Sequence, residues 1–303
     1  MMNVLVLGGS GFVSSHVSRL AVARGWKVWT VTRGSRPLPE GVTALTADRN
    51  DMNAMQKALT ALPEKVDAVL ECICYNAEQA RQDMALFAGR TNRLIVISTD
   101  SVYHPHYKKC PQDEQGERYL TDGGYGALKR EMELALMEEC PADLHYTLFR
   151  PGHIFGPGSE LGCYPEQSRQ KDLLAELRAG KPMRLVGGGT YLIHPIYVED
   201  LARVMLDAVG NEKTRDQLYC IGGPDIFPNF HYYTVLGQLL GVPVTFETIP
   251  EEGYLEAHPA ASGHLCQRAY DLRKLAATGI RLPDTPLREG LKRQMDALLA
   301  QGR

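Results

Sequence analysis

The chain has 303 residues, of which 44% are hydrophobic and 23% are charged. This balance excludes a disordered, collagen-like or entirely coiled-coil protein, and the length allows about two domains or one large α/β unit with an added lobe. The net charge of −3 gives no basic excess to attract a phosphate backbone, so we expect no nucleic-acid partner.

The apolar segments are too short to cross a membrane, because a spanning helix needs about 20 apolar residues. The run Val4-Leu5-Val6-Leu7 is also too short for a signal peptide and lacks a basic flank. The seven cysteines show no Cys-x-x-Cys spacing, which is typical of free thiols in a reducing compartment. We therefore expect a cytoplasmic protein with no membrane contact.

Short apolar runs alternate with amphipathic segments through the first half of the chain. Their periodicity predicts strands at 4–7, 28–31, 42–45, 67–72, 93–98 and 146–150, and helices at 12–24, 52–59, 77–87 and 124–137. Strands this apolar need helices on both faces, which predicts an α/β fold with a doubly wound parallel sheet. After Pro151, loops rich in glycine and proline surround helices at 172–179 and 199–209. We expect residues 151–303 to form a smaller lobe, interleaved with the sheet.

A glycine-rich turn follows the first strand and opens the first helix. Its sequence is Gly8-Gly9-Ser10-Gly11-Phe12-Val13-Ser14. Residues without Cβ permit a tight turn and let a pyrophosphate approach backbone N–H groups, where the helix dipole also favours an anion. The turn predicts a dinucleotide-binding Rossmann domain over residues 1–150, with contacts from Gly8, Ser10, Gly11, Phe12 and Val13. Ser14 replaces the third glycine of the pattern, so we expect the first helix to stand slightly further from the sheet.

The end of the second strand carries arginine where an NAD site usually carries an acid. Arg33 and Arg36 offer planar donor groups for the 2′-phosphate of NADP. The alternative is that both arginines are solvated surface residues and that the site binds NAD. Asp48 follows the third strand, where an acid can accept a hydrogen bond from the adenine amino group. We also assign its neighbour Arg49, and Cys72 at the end of the fourth strand, to the cofactor site.

Tyr125 and Lys129 form a Tyr-x-x-x-Lys pair at the start of a predicted helix, and Thr99 ends a predicted strand. A tyrosine hydroxyl has an ordinary pKa of about 10 and is a poor base at neutral pH. A lysine one turn further on lies on the same helix face, and its charge favours the phenolate. Tyr125 can then exchange a proton with a substrate oxygen. The alternative is that the pair only stacks on the helix and Thr99 only caps the strand.

Several motifs together make the chain similar to a known group of enzymes. They are the glycine turn, Asp48, Ser98-Thr99-Asp100-Ser101-Val102-Tyr103, the Tyr125/Lys129 pair, Arg150-Pro151-Gly152-His153, Tyr197-Val198-Glu199-Asp200 and Tyr270-Asp271-Leu272-Arg273-Lys274. The chain resembles the extended or atypical branch of the short-chain dehydrogenase/reductase superfamily, the NAD-dependent epimerase/dehydratase family. The resemblance implies hydride transfer between NADP(H), or NAD, and a carbonyl or alcohol substrate.

The resemblance also implies roles for individual residues. Tyr125 is the acid/base, Lys129 binds the nicotinamide ribose, and Thr99 aligns the substrate oxygen. Pro151 and His153 pass close to the nicotinamide carboxamide. Family members often dimerise through two long helices, here 77–87 and 124–137, so we expect a homodimer that binds a small-molecule substrate.

The substrate site resembles the family less closely. Ile193 stands where many nucleotide-sugar enzymes carry an arginine for the diphosphate, and Arg184 is the candidate substitute. Tyr164 and Tyr191 fall in second-half loops and are candidates to line the pocket. Asp100 occupies a position where some dehydratases carry a proton donor, although the second acid of that pattern is replaced by Ser101.

Three functions therefore remain open. The first is an NADP(H)-dependent reductase or dehydrogenase. The second is an NAD-dependent epimerase or dehydratase of a sugar or sugar nucleotide, which returns the hydride to the same molecule. The third is a non-catalytic dinucleotide-binding or RNA-associated protein, and the intact set of Thr99, Tyr125 and Lys129 argues against it. We expect no metal, because the nearby histidines lack a convincing ligand spacing.

Overall fold

A parallel sheet built mainly from the first half of the chain organises the fold. The structure is a computed structural model that describes residues 1–163 and 165–302. The first half forms β1 (Asn3–Leu7), α1 (Phe12–Ala23), β2 (Lys27–Thr32), β3 (Val42–Thr46), α2 (Met52–Ala58), β4 (Ala68–Glu71), α3 (Ala77–Phe87), β5 (Arg93–Ile97), α4 (Tyr125–Glu139) and β6 (His145–Pro151).

The second half contains shorter elements. They are β7 (Ile154–Phe155), α5 (Leu173–Arg178), β8 (Met183–Val186), β9 (Leu192–Ile193), β10 (Ile196–Tyr197), α6 (Val198–Val209), β11 (Gln217–Ile221), β12 (Phe227–Pro228), α7 (Asn229–Leu240), β13 (Phe246–Ile249), α8 (Glu251–Ala257), α9 (Arg273–Ala276) and α10 (Leu287–Leu299). Among the described residues, no helix has the length and apolar character needed to cross a membrane.

The main sheet has seven strands in the order β11-β6-β5-β4-β1-β2-β3, and all its pairings are parallel. Side chains of β1 alternate between its two faces. Leu5 and Leu7 pack with α2, α3 and α4 on one face, whereas Val4 and Val6 pack with α1 and α6 on the other. The sheet is therefore covered on both sides, which confirms the predicted α/β, doubly wound, Rossmann-like fold.

The strand order of the sheet reverses between β1 and β4. From β1 it adds β2 and β3 on one side, and then β4, β5 and β6 on the other. Ligands of open α/β sheets bind at the carboxyl ends of the strands beside such a switch point. The last strand, β11, comes from the second half and pairs with β6.

A separate apolar cluster holds the second-half elements together. It joins side chains of α5, α7, α10 and β8, including Leu173, Leu185, Leu236 and Leu291. This cluster is distinct from the two clusters that cover the faces of the main sheet. All seven cysteines are free thiols.

Candidate active site

A deep cleft of about 990 Å³ opens at the carboxyl ends of β1, β4 and β5. This edge of the sheet is where the fold predicts a ligand. The structure brings ten of the predicted site residues to its walls, namely Gly11, Phe12, Val13, Cys72, Thr99, Asp100, Tyr125, Lys129, Pro151 and His153.

The glycine turn between β1 and α1 depends on residues without side chains. Gly8 and Gly9 have φ angles of +112° and +53°, which favour glycine. A Cβ on Gly9 would lie 2.5 Å from the Cβ of Thr30, so the turn approaches β2 closely. Ser14 fits beneath the turn, where it is 2% exposed and its Oγ accepts a hydrogen bond from Gly11 N at 3.0 Å.

These features fit a dinucleotide. Gly11, Phe12 and Val13 line the cleft at the start of α1, where helix N–H groups and the positive end of the helix dipole favour a pyrophosphate. Gly8 and Ser10 shape the turn behind them. Gly8 N donates to Val31 O at 3.0 Å, so the end of β2 lies directly beside the turn.

The residues predicted to bind the adenosine half of the cofactor fall into two groups. Arg33, Arg36 and Asp48 are exposed where β2 and β3 end, and they too lie outside the cleft lining. Arg49 is instead 6% exposed, and its guanidinium forms ion pairs with Glu71 at 3.0 Å and Asp83 at 2.8 Å. The structure thus places Arg49 in a buried network beneath the sheet edge, outside the cleft lining. Its local sequence carries no sign of the two distant acids.

Lys129 projects from the first turns of α4 to the ends of β4 and β5. Its Nζ donates to the carbonyl oxygens of Cys74 and Ile97, both at 2.7 Å. The residue is 2% exposed. Burial lowers the pKa of Lys129, and the nearby acids and thiols, which raise this pKa, offset the effect only in part. The two carbonyls fix the ammonium group at the floor of the cleft.

Tyr125 and Thr99 stand at the mouth of the same cleft. Tyr125 begins α4 and is 54% exposed, whereas Thr99 is 8% exposed. Thr99 Oγ1 accepts a hydrogen bond from Ser101 N at 3.2 Å, so its own hydroxyl proton can be donated elsewhere. A Cβ on Gly126 would lie 2.0 Å from Ser101 O. Glycine after Tyr125 therefore lets α4 start against the turn that carries Thr99.

Asp100 lies at the centre of a buried polar cluster. Its Oδ2 accepts from Tyr270 Oη at 2.6 Å and from Lys108 Nζ at 2.9 Å, and Arg268 Nε lies 3.5 Å away. Burial opposes ionisation, but the charges of Arg268 and Lys108 outweigh it and hold the pKa of Asp100 well below its usual range. Asp100 is therefore a carboxylate at neutral pH, which disfavours a role as proton donor to a leaving hydroxyl.

Two predicted substrate residues, Arg184 and Tyr191, do not line this cleft. Arg184, on β8, is 53% exposed and pairs with Glu166 at 3.1 Å and Glu247 at 3.7 Å, outside the cleft lining. Tyr191 lines a small adjoining pocket, and its hydroxyl donates to Glu251 at 2.8 Å. Tyr164 lies outside the described residues.

Two arginines that the sequence did not single out line the cleft instead. They are Arg169 and Arg268. Burial and the charges of these two arginines lower the pKa of His153 to about 3, so this histidine is neutral at pH 7. In residues 1–163 and 165–302, no three His, Cys, Asp or Glu side chains are grouped so as to hold a metal ion.

A family model and several known proteins are similar to this chain in sequence. A sequence model of the NAD dependent epimerase/dehydratase family matches residues 4–222. A 2′-dehydrokanamycin reductase from Streptomyces kanamyceticus is 26% identical over 83% of this chain and 70% of its own length. A chloroplast stem-loop binding protein of 41 kDa from Arabidopsis thaliana is 25% identical over 73% of this chain, which covers 58% of that protein.

Solved structures share the fold over the whole chain. A UDP-glucose 4-epimerase from Thermotoga maritima, crystallised with UDP-glucose, has a TM-score of 0.79 and 20% identity, with 100% of both chains covered. At this identity the likeness concerns the fold alone, whereas the family match extends from β1 to just beyond β11. The chain therefore belongs to the NAD-dependent epimerase/dehydratase family, whose members are NAD(P)-dependent oxidoreductases, epimerases and dehydratases.

Proposed function

We propose that the protein is an NADP(H)-dependent reductase or dehydrogenase acting on a small carbonyl or alcohol substrate. The observation that carries this proposal is the meeting of Thr99, Tyr125 and Lys129 with the glycine turn in one cleft. A reductase among the similar proteins, acting by its name on 2′-dehydrokanamycin, supports the same reaction class.

Each residue of the set has a distinct task. The dinucleotide, when bound along the glycine turn, supplies or accepts the hydride. Tyr125 gives a proton to the substrate oxygen during reduction and removes it during oxidation. Lys129, held by the carbonyls of Cys74 and Ile97, keeps a positive charge one turn from Tyr125 and stabilises the phenolate. Thr99 donates a hydrogen bond to the same substrate oxygen and so orients it.

NADP is the preferred cofactor in this proposal. Arg33 and Arg36 are exposed where β2 ends beside the glycine turn, and the end of β2 carries no acid to accept from a ribose 2′-hydroxyl. We assign dinucleotide binding to residues 1–150 and substrate binding to 151–303. The apolar cluster of α5, α7 and α10 supports the second assignment.

An epimerase is the second candidate, because the chain shares its fold with a UDP-glucose 4-epimerase along its full length. Such an enzyme returns the hydride to the molecule that supplied it and need not release its cofactor. A dehydratase is less well supported, since the ion pairs of Asp100 keep this carboxyl ionised.

The test begins with the nucleotide that the purified protein carries. The protein is denatured, any released nucleotide is identified, and the emptied protein is titrated with NADP⁺ and NAD⁺ by calorimetry. We expect exchangeable binding with a preference for NADP⁺. Tightly held NAD⁺ would move the assignment to the epimerase, and the absence of binding to either would refute both enzymes.

The catalytic step is tested with Tyr125→Phe and a panel of carbonyl compounds with NADPH. Loss of the acid/base should lower turnover about 100-fold or more while dinucleotide binding persists. Tyr107→Phe is the matched control, because its ring packs against Arg118 at 4.1 Å and does not line the cleft. Equal turnover by the two variants would contradict the role of Tyr125.

A further inference from the structure

The loop that joins β4 to α3 supplies one of the two carbonyls that hold Lys129. The ammonium group of Lys129 donates to Cys74 O at 2.7 Å, and its Nζ lies 5.2 Å from the centre of the Tyr75 ring. Cys72, Ile73 and Tyr75, from the same loop, line the cleft. The position of Lys129 therefore depends on how firmly this loop is held.

Three side chains hold three successive peptide groups of the loop. The carboxylate of Glu71 accepts a hydrogen bond from Ile73 N. Arg49 Nη1 donates to Ile73 O at 2.9 Å. Gln79 Oε1, on α3, accepts from Tyr75 N at 2.7 Å. These bonds fix the peptide groups between residues 72 and 73, 73 and 74, and 74 and 75 in turn.

The last of these peptide groups is the one that binds Lys129. It joins Cys74 to Tyr75, so Cys74 O is its acceptor and Tyr75 N is its donor. In a trans peptide group these two atoms point in opposite directions. Lys129 and Gln79 therefore hold the same group from its two sides, each at 2.7 Å. A bonded N–H also polarises the group and makes its carbonyl a stronger acceptor.

Arg49 and Glu71 form the base to which the loop is attached. Their side chains are 7% and 0% exposed, with Nη1 and Oε2 at 3.0 Å. Arg49 Nη2 also donates to α3, to Gln79 O at 3.2 Å and Asp83 Oδ1 at 2.8 Å. Apolar side chains often replace a buried ion pair with no loss of stability, so stability alone does not explain this pair. Both of its members bond the backbone of Ile73.

We propose that these three side chains are positioning residues for Lys129, which they hold at the floor of the cleft through the carbonyl of Cys74. They are Arg49, Glu71 and Gln79. This inference rests on the proposed function, in which the charge of Lys129 stabilises the phenolate of Tyr125. The described lining of the cleft includes none of the three, so they act through the loop.

Lysine labelling of the full chain tests the proposal without substrate or cofactor. Lys129 is 2% exposed, so acetic anhydride should modify it slowly. Mass spectrometry compares its rate with that of Lys57, which is exposed on α2. Gln79→Ala removes the acceptor of Tyr75 N at a half-buried position and should fold normally. It should speed the acetylation of Lys129 relative to Lys57 about fivefold, as expected for the loss of one hydrogen bond.

Arg49→Lys tests the base of the loop. The variant keeps a positive charge beside Glu71, but one ammonium group cannot replace the contacts that the guanidinium makes in several directions. The acetylation of Lys129 should be about tenfold faster than in the unchanged chain, because more than one hydrogen bond to a charged group is lost. If Arg49→Lys does not fold, Gln79→Ala decides the result.

Each variant has a matched control. Gln82 lies one turn beyond Gln79 on α3, is also half-buried, and forms none of the three bonds that hold the described loop. Arg93 is a second buried arginine, 2% exposed, at the start of β5 and so at the opposite end of that strand from the cleft. Gln82→Ala and Arg93→Lys should leave the labelling of Lys129 unchanged.

A double-mutant cycle tests the consequence for turnover. Gln79→Ala alone should lower turnover about fivefold, in line with its effect on labelling. In the Lys129→Met background the same change should have no further effect, because the carbonyl then has no ammonium group to hold. A side chain that only stabilises the fold would cause equal losses in both backgrounds.

Three outcomes would overturn the proposal. Lys129 reacts no faster in Gln79→Ala and Arg49→Lys than in the unchanged chain, the control variants speed its labelling equally, or the cycle gives equal losses. If the unchanged chain reduces no carbonyl compound, the proposed function fails by itself. Faster labelling of Lys129 in the two loop variants would still show that these side chains position it.

Discussion

Glu133 and Arg150 form a buried ion pair with two contacts behind the active site. Arg150 Nε lies 2.7 Å from Glu133 Oε1, and Arg150 Nη2 lies 2.5 Å from Oε2. The side chains are 0% and 1% exposed. Ser98 Oγ donates to the same carboxylate at 2.6 Å. The pair thus ties α4, which carries Tyr125, to β5 and β6.

Glu133→Gln should destabilise the protein by about 3 kcal/mol or more, because it leaves the buried charge of Arg150 without its partner. Urea unfolding followed by circular dichroism measures the change. Glu139→Gln is the control on the same helix, since its partner Arg81 is 56% exposed and exposed pairs contribute little. Equal unfolding curves for both variants would contradict this assignment.

Arg33→Ala should weaken NADP⁺ binding about tenfold or more and leave NAD⁺ binding unchanged, because only NADP⁺ carries the 2′-phosphate. Calorimetry with both nucleotides measures the effect. Arg19, exposed on α1, provides the control variant Arg19→Ala. A similar loss for both nucleotides would argue against a specific phosphate contact.

Asp100→Asn should lower the free energy of unfolding by about 3 kcal/mol at pH 7, since Lys108 and Arg268 lose their shared carboxylate. The pKa of Asp100 is depressed in the folded protein, so the stabilisation is full above the unfolded-state pKa of about 4. It is lost as the pH falls further. The difference in unfolding free energy between the unchanged protein and Asp100→Asn should therefore narrow below about pH 4. A gap that stays constant there would contradict the paired carboxylate.

The ring of His153 should remain neutral down to about pH 4, as its pKa of about 3 requires, and ring-nitrogen NMR measures this directly. The unfolded chain binds a proton near pH 6.5, so the unfolded state gains protons first. Stability should fall from about pH 6.5 towards pH 3, and His153→Gln should reduce this fall. A His153 ring that titrates near pH 6.5 would contradict its burial.

The protein should form a homodimer through α3 and α4. Leu128 and Met137 on α4 are 36% and 46% exposed, and such apolar groups favour a partner surface. Sedimentation at micromolar concentration should give twice the chain mass, and Met137→Glu should shift it towards the monomer. A monomer in the unchanged protein would refute this prediction.

Local sequence signals predicted the elements around the cleft well. α3 begins and ends at Ala77 and Phe87 as predicted, because Asn76 caps it by accepting from Gln79 N at 2.9 Å. The glycine turn and the Tyr-x-x-x-Lys pair are also local patterns, and the predicted strands and helices around them placed them at the starts of α1 and α4.

Long-range contacts explain what the sequence did not show. Arg49 is buried only because Glu71 and Asp83 arrive from other elements. Arg268 belongs to the cleft because a distant loop brings it to Asp100. Neither arginine differs in its local sequence from a solvated one, so no short pattern could have separated them from Arg33 or Arg184.

Strand β11 makes the two halves of this chain inseparable. A polypeptide cut after residue 150 would end inside β6 and lose the strand whose residues Gln217–Ile221 pair with Thr147–Pro151. The freed edge would present unpaired N–H and C=O groups to other chains, which promotes aggregation. Transplanting the nucleotide-binding half into another protein would therefore require including β11. New substrate loops are better inserted between β6 and β11 than attached to a chain that ends at β6.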